Sequence, residues 1–358
     1  MAELRDDAVE PRPGETLDAD AVGAYLREAV PGLDGDISIA QFPGGASNLT
    51  YLVRVGDEEL VLRRPPFGTK ARSAHDMGRE FRVLSGLHSV FRYCPRPLAY
   101  CEDPDILGEP FYVMERLQGI ILRRDPPDDI RLDADTAHGL CENLLDVHLE
   151  LHRIDPAAAG LAELGRPDGY TERQVGGWSK RYRNARTDDV PDNEPLMAWL
   201  AEHIPPEAGR AAIIHNDYKF DNVIWQDDGT GLRIRGVLDW EMTTVGDPLM
   251  DLGCSLAYWI QADDPPSMLA LRMMPTHLPG MMRRRDVIDY YLAGADLEIG
   301  DFRFYYIFGL FRLAVIVQQI YYRYMLGQTR DSRFAHFGQM GAVLSGVAGA
   351  IAAGQRDI

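Results

Sequence analysis

Paired cysteines are missing from this 358-residue chain. Its four, Cys94, Cys101, Cys141 and Cys254, stand far apart with no C-x-x-C among them, which argues against a zinc knuckle or a secreted disulfide framework and predicts free thiols. Positive charge is short as well: 37 Lys and Arg face 55 Asp and Glu, a net charge of −18. That is the reverse of the electrostatic footprint of a nucleic-acid binder, so no nucleic-acid partner is expected. An acidic field suits Mg²⁺ or cationic substrates, although charge alone names none. Long uninterrupted apolar runs are absent too. The most apolar stretch, Phe304 to Gly327, is broken by Arg312, Gln318, Gln319 and Arg323, and reads as a buried amphipathic helix rather than a membrane span. The start, MAELRDDAVEPRPGE, lacks the cationic head and apolar core of a secretory leader, so a cytoplasmic location with no membrane partner is expected.

What is present is ordinary globular composition, 46% hydrophobic and 26% charged, in a chain longer than one typical domain. After a polar tail, Leu17, Val22, Tyr25 and Leu26 mark a helix. ISIAQF, LTYLVRV and ELVLRR then predict three short strands, broken at Pro43-Gly44-Gly45 and Gly56-Asp57. A helix is expected around Met77 to Leu87, and strands at Pro97 to Glu102 and Pro110 to Leu117. Beyond Gly119 the text turns helical, beginning with Thr136 to Arg153. The expectation is therefore an α+β fold of two lobes. Residues 1–118 form a small antiparallel-sheet lobe and residues 119–358 a larger, mostly helical one, with a ligand cleft between them.

The densest chemistry lies in AIIHNDYKFDNVIW, which has the form His-x-Asp-x-x-x-x-Asn. In phosphoryl transfer an Asp orients or accepts the proton of the attacking hydroxyl, and an Asn five residues later can ligate Mg²⁺, so Asp217 and Asn222 fit those roles. Seventeen residues on, a β-type run ends at Asp239-Trp240-Glu241. Mg²⁺ needs hard oxygen ligands; Asp239 joins Asn222 as a candidate, with Glu241 a possible third.

These motifs, with Gly246-Asp247-Pro248, resemble the aminoglycoside phosphotransferase and choline-kinase-like family, whose fold is protein-kinase-like. The resemblance covers nearly the whole chain and is nearest, through VLRRPPFG, REFRVL, CEDPDILGEPFYVMERLQG and HNDYKFDN, to the phosphotransferase domains that accompany acyl-CoA dehydrogenases. It implies a kinase using ATP and Mg²⁺ on a small-molecule hydroxyl acceptor. Lys219 would then touch the γ-phosphate beside the catalytic Asp217. Gly44, Gly45, Ala46, Ser47 and Asn48 would cover the phosphates, although a glycine pair between strands is also a plain hairpin. Arg63 stands where the family's strand carries lysine, a departure that still allows a forked grip on phosphates with Glu80 as its helix partner. Met114 would line the adenine site, and the backbone of Glu115 and Leu117 would bond the base.

The same resemblance leaves the acceptor open between an antibiotic of the aminoglycoside or macrolide type and a hydroxyacyl-CoA, and a nucleotide-binding pseudokinase module stands as the non-enzyme alternative. Segments 169–207 and 261–300 are expected to wall the acceptor. Arg283-Arg284-Arg285 is either a contact for anionic CoA or a solvated helix edge. Asp247 and Asp251 suit helix capping and support of the catalytic loop better than metal binding. His148 and His152, four apart, lack the glutamate of a zinc-protease motif. Asp-Phe-Gly and Ala-Pro-Glu are absent, which disfavours a protein kinase.

Overall fold

A computed structural model describes residues 8–43, 48–67, 76–126, 130, 132–206, 211–329 and 331–358. The chain divides into two compact units, the first comprising residues up to Ile121 with Ala159–Leu161 and Asn222–Thr243, the second the remainder.

In the first unit β1 (Ile37–Gln41), β2 (Leu49–Val55), β3 (Glu58–Arg64), β4 (Pro97–Cys101) and β5 (Phe111–Glu115) form one antiparallel sheet in the order β1-β2-β3-β5-β4. The turn between β2 and β3 needs glycine at Gly56, where φ is +56° and a Cβ would lie 2.5 Å from the Asp34 carbonyl oxygen. Tyr51, Val53, Leu60, Leu62, Phe111 and Val113 pack with Val22 and Leu26 of the helix Ala19–Ala29. The other face of β3 is covered too, so Val61 and Arg63 are buried as well.

Asp76 caps the helix Met77–Leu87 by accepting from the Arg79 amide at 2.9 Å. Its buried positions, Met77, Glu80, Val83, Leu84 and Leu87, recur at helical spacing, which turns the Glu80 carboxylate inward. A second hairpin, β7 (Val223–Asp227) with β8 (Leu232–Val237), belongs to this unit and is tied to it by Val237 N–H donating to the Tyr93 carbonyl at 2.8 Å.

The second unit carries the short pair β6 (Ala212–Ile214) and β9 (Thr244–Gly246) and most of the helices. Helix Pro248–Ala257 crosses Arg303–Met325 where two glycines face each other: a Cβ on Gly309 would sit 2.0 Å from the Gly253 carbonyl oxygen. Arg303–Met325 meets the length and hydropathy of a membrane span, but it is mostly buried inside the protein, with Tyr305, Tyr306, Phe308 and Phe311 in the core. Helix Phe337–Ala352 packs against it. The fold is thus α+β: a five-stranded antiparallel sheet with its helices, and a predominantly helical second unit.

Candidate active site

In the first unit, strand alternation sends Arg63 and Arg64 to opposite faces. Arg64 lies 3.8 Å over the Phe67 ring. Arg63 Nη1 donates to Glu80 Oε1 at 2.6 Å and Nη2 to Asp239 Oδ1 at 3.1 Å. Burial works against the Arg63 charge, but Glu80, Tyr112, Asp239 and Glu241 hold its pKa well above the ordinary value. The Glu80 side chain is 2% exposed and the Asp239 side chain 34%, so the chain of charges runs from a dry end to a wet one.

Asp239 has a left-handed backbone, φ 65° and ψ 61°, at the start of the single turn Trp240–Met242. That turn is fixed from two sides. Trp240 is buried, its ring nitrogen donating to the Val237 carbonyl at 2.9 Å, and Arg79 donates to the carbonyls of Glu241 at 3.3 Å and Thr243 at 2.5 Å. Leu238 N–H donates to the Asn222 carbonyl at 2.8 Å, which sets Asn222 beside the end of β8. Asn48 Nδ2 donates to Glu241 Oε2 at 2.9 Å. Asn222, Asp239 and Glu241 each carry an oxygen donor of the kind Mg²⁺ requires, and the Asp239 side chain is one-third exposed.

Gly44, Gly45, Ala46 and Ser47 lie outside the described residues. Met114 is buried in β5, and the Glu115 side chain accepts from the Arg96 amide at 2.8 Å while its own N–H donates to the Arg96 carbonyl. Leu117 lies over β8 at Gly236, where a Cβ would fall 2.1 Å from its Cδ1.

In the second unit, β6 delivers His215, Asn216 and Asp217. The Asp251 carboxylate accepts the His215 amide at 2.8 Å and the Asn216 amide at 2.7 Å, and Asp247 caps the helix that carries Asp251 by accepting the Leu249 amide at 2.8 Å. Asn216 has φ 64°, so the residue before Asp217 is held in left-handed backbone. Lys219 is buried, donates to Asp217 and lies 3.6 Å from Asp221 and 5.1 Å from the Tyr258 ring centre. Burial would lower its pKa, and the two carboxylates raise it instead. Arg312, also buried, lies 5.1 Å from the Trp178 ring centre.

Arg79 and Arg312 were missed by sequence reasoning. Arg79 sits beside Glu80 in the same short helix, whereas Arg312 looked like a polar break in an apolar run. The arginine triplet is corrected by the fold: Arg284 is buried in a forked pair with Asp264 at 2.6 and 2.8 Å, and only Arg283 and Arg285 face solvent.

The Phosphotransferase enzyme family profile matches residues 38–284. Mouse acyl-CoA dehydrogenase family member 10 is 33% identical over 324 residues, covering 90% of this chain and 30% of that protein; the chain thus spans less than a third of that relative's length. A crystal structure from Ralstonia eutropha, provisionally assigned as an aminoglycoside phosphotransferase, superposes with a TM-score of 0.79 at 28% identity, covering 94% of this chain and 98% of the other. Spectinomycin phosphotransferase in complex with ADP and spectinomycin shares the fold at a TM-score of 0.59 and 13% identity, covering 93% and 99%.

Proposed function

The chain belongs to the phosphotransferase enzyme family, and from that premise we propose that it transfers the γ-phosphoryl group of ATP to a hydroxyl of a small molecule. The observation that carries this reading is the Glu80–Arg63–Asp239 series. It fixes a guanidinium between a buried acid and an acid that is one-third exposed, which suits a grip on α/β-phosphates beside an oxygen-ligand site. Asn222 and Asp239 would hold Mg²⁺, with Glu241 as a third donor, and the bound ion would neutralise charge on the phosphate oxygens.

The acceptor oxygen attacks the γ-phosphorus, the bond to the bridging oxygen breaks, and ADP leaves. Asp217 takes the hydroxyl proton, while Lys219 holds Asp217 in place and offers its charge to the γ-phosphate. Residues 44–48 would cover the phosphates, and Met114 with the backbone of Glu115 and Leu117 would meet the adenine.

For the acceptor, a hydroxyacyl-CoA is favoured by the family member 10 match over 90% of this chain, and an aminoglycoside-type antibiotic by the Ralstonia neighbour. ³¹P NMR of Mg-ATP turnover, screened against hydroxyacyl-CoAs, aminoglycosides, macrolides and amino alcohols, separates the two. Asp217→Ala is expected to lower transfer at least about 100-fold while Mg-ATP binding survives, because the base touches the acceptor rather than the nucleotide. Equal loss of both would contradict the assignment. Mg-ATP binding without transfer to any acceptor would favour a nucleotide-binding module.

A further inference from the structure

We propose that Tyr291, His152 and His148 are positioning residues for the loop that carries Asp217, acting through the carboxylate of Asp251. The effect on turnover rests on the kinase reading above; the hydrogen-bond geometry does not.

Asp251 is fully buried and accepts four hydrogen bonds. Besides the two loop amides, Oδ2 lies 3.0 Å from His148 Nε2 and 3.0 Å from His152 Nε2. A carboxylate has no proton to give, so both imidazoles must present N–H at Nε2. In a neutral His152 the remaining ring nitrogen, Nδ1, is an acceptor, and the Tyr291 hydroxyl lies 2.5 Å from it. The result is a directed series in which Tyr291 donates to His152, His152 donates to Asp251, and Asp251 holds the amides on either side of the His215-Asn216 bond. The His148 ring stacks on Tyr218, inside the same loop, at 4.2 Å. Burial, followed by neighbouring His152, lowers the His148 pKa to about 4, in keeping with a neutral ring.

What this series holds is strained. Asn216 keeps φ at 64° without being glycine, one residue before Asp217. If Asp251 turns or loses donors, the loop can relax and carry Asp217 away from a reactive geometry, where small misplacements are costly.

The rival is a metal ion, since ligand atoms of His148, His152 and Asp251 lie within 4.8 Å of one another. Metal on both Nε2 atoms would force the His148 proton onto Nδ1, a buried atom with no hydrogen-bond partner. It would also compete for the oxygen that receives the His215 amide. The hydrogen-bonded reading leaves no such donor stranded.

The test uses the full chain as wild type, Tyr291→Phe, His152→Ala and His152→Gln. Histidine ring ¹⁵N spectra of the wild type should show N–H at Nε2 in both residues. Amide exchange at His215 and Asn216 should rise about 10-fold or more in Tyr291→Phe and His152→Ala. Turnover should fall about 10-fold with nucleotide KM moving less than about 2-fold, and His152→Gln, which restores a donor near Nε2, should recover most of it. Unchanged exchange at both amides would overturn the proposal, as would Nδ1–H tautomers or a stoichiometric shift of the ring nitrogens on adding Zn²⁺ alone. Should His152→Ala not fold, Tyr291→Phe carries the same readouts. A wild type without turnover sinks the kinase reading, while exchange and ring spectra still decide this one.

Discussion

Two buried carboxylates in this molecule are partnered in opposite ways. Glu80, in the first unit, faces the permanent cation Arg63, whose second nitrogen reaches the one-third-exposed Asp239, and burial still raises the Glu80 pKa. Asp251, in the second, is surrounded by two backbone amides and two imidazoles, and against the pull of burial the imidazoles hold its pKa well below the usual range. A cation can be shared or traded when a phosphate or metal arrives, so the first arrangement suits a place where charge comes and goes. Four directed hydrogen bonds cannot be traded, and the second arrangement suits a loop that must not move.

The comparison breaks most visibly at Glu80. Glu80→Leu strips the buried Arg63 of its drier ion-pair partner and leaves the pair with Asp239, and a loss of roughly 4 kcal/mol in folding stability is expected by urea denaturation, the range for a buried pair stripped of one partner. Asp251→Asn is the parallel change in the second unit. Its amide nitrogen would face donors, and a loss of about 3 kcal/mol is expected from the stranded groups. A loss under about 1 kcal/mol would mean that the four hydrogen bonds contribute little to holding the loop.

Acid separates the two regions by a different route. His148 titrates near 6.5 in the unfolded chain and is lowered to about 4 in the fold by burial and by His152, against Asp251; His215, the Tyr218 ring and Tyr291 also face it. Between those values the unfolded chain binds a proton that the folded chain refuses, so stability falls as pH drops from about 6.5 to about 4, by on the order of 3 kcal/mol. Asp251, with its depressed pKa, extends the loss in the same direction at lower pH. His148→Phe should flatten the upper part of that slope, measured as the denaturation midpoint against pH. An unchanged slope would remove His148 as its source.

How far each region could be read from sequence follows from how local its partners are. The run from His215 to Asn222 is one contiguous segment with a fixed spacing, so its motif could be read without a fold. Glu80 was legible as the partner of Arg63 because helix periodicity turns it inward and the family resemblance supplies the pairing. The supports around Asp251 were not, since His148 and His152 lie 103 and 99 positions from Asp251 and Tyr291 lies 139 from His152, and only the four-residue spacing of the two histidines is local. Arg284 misled for a related reason. Three arginines in a row look solvated, and only the distant Asp264 explains why the middle one is buried. Nor does residue order announce that Asn222–Thr243 groups with the first unit.

The finest discrimination lies at Arg63, where the family's strand carries lysine. Lysine is a point charge on a flexible stem, and a single ammonium is poorly placed to donate to Glu80 at one nitrogen and Asp239 at another as the guanidinium does at 2.6 and 3.1 Å. Arg63→Lys keeps the cation and is expected to lose only about 1 kcal/mol of stability, the worth of one hydrogen bond, with the contact to Glu80 surviving because that carboxylate is the drier and shorter partner. Asp239 would then be freed of its guanidinium, and Mg²⁺ affinity, read by titration calorimetry with ATP present, should rise or hold. A fall of about 10-fold instead would show that the Arg63 fork orients Asp239 for the ion, and that the first unit, like the second, depends on a fixed direction rather than on charge alone.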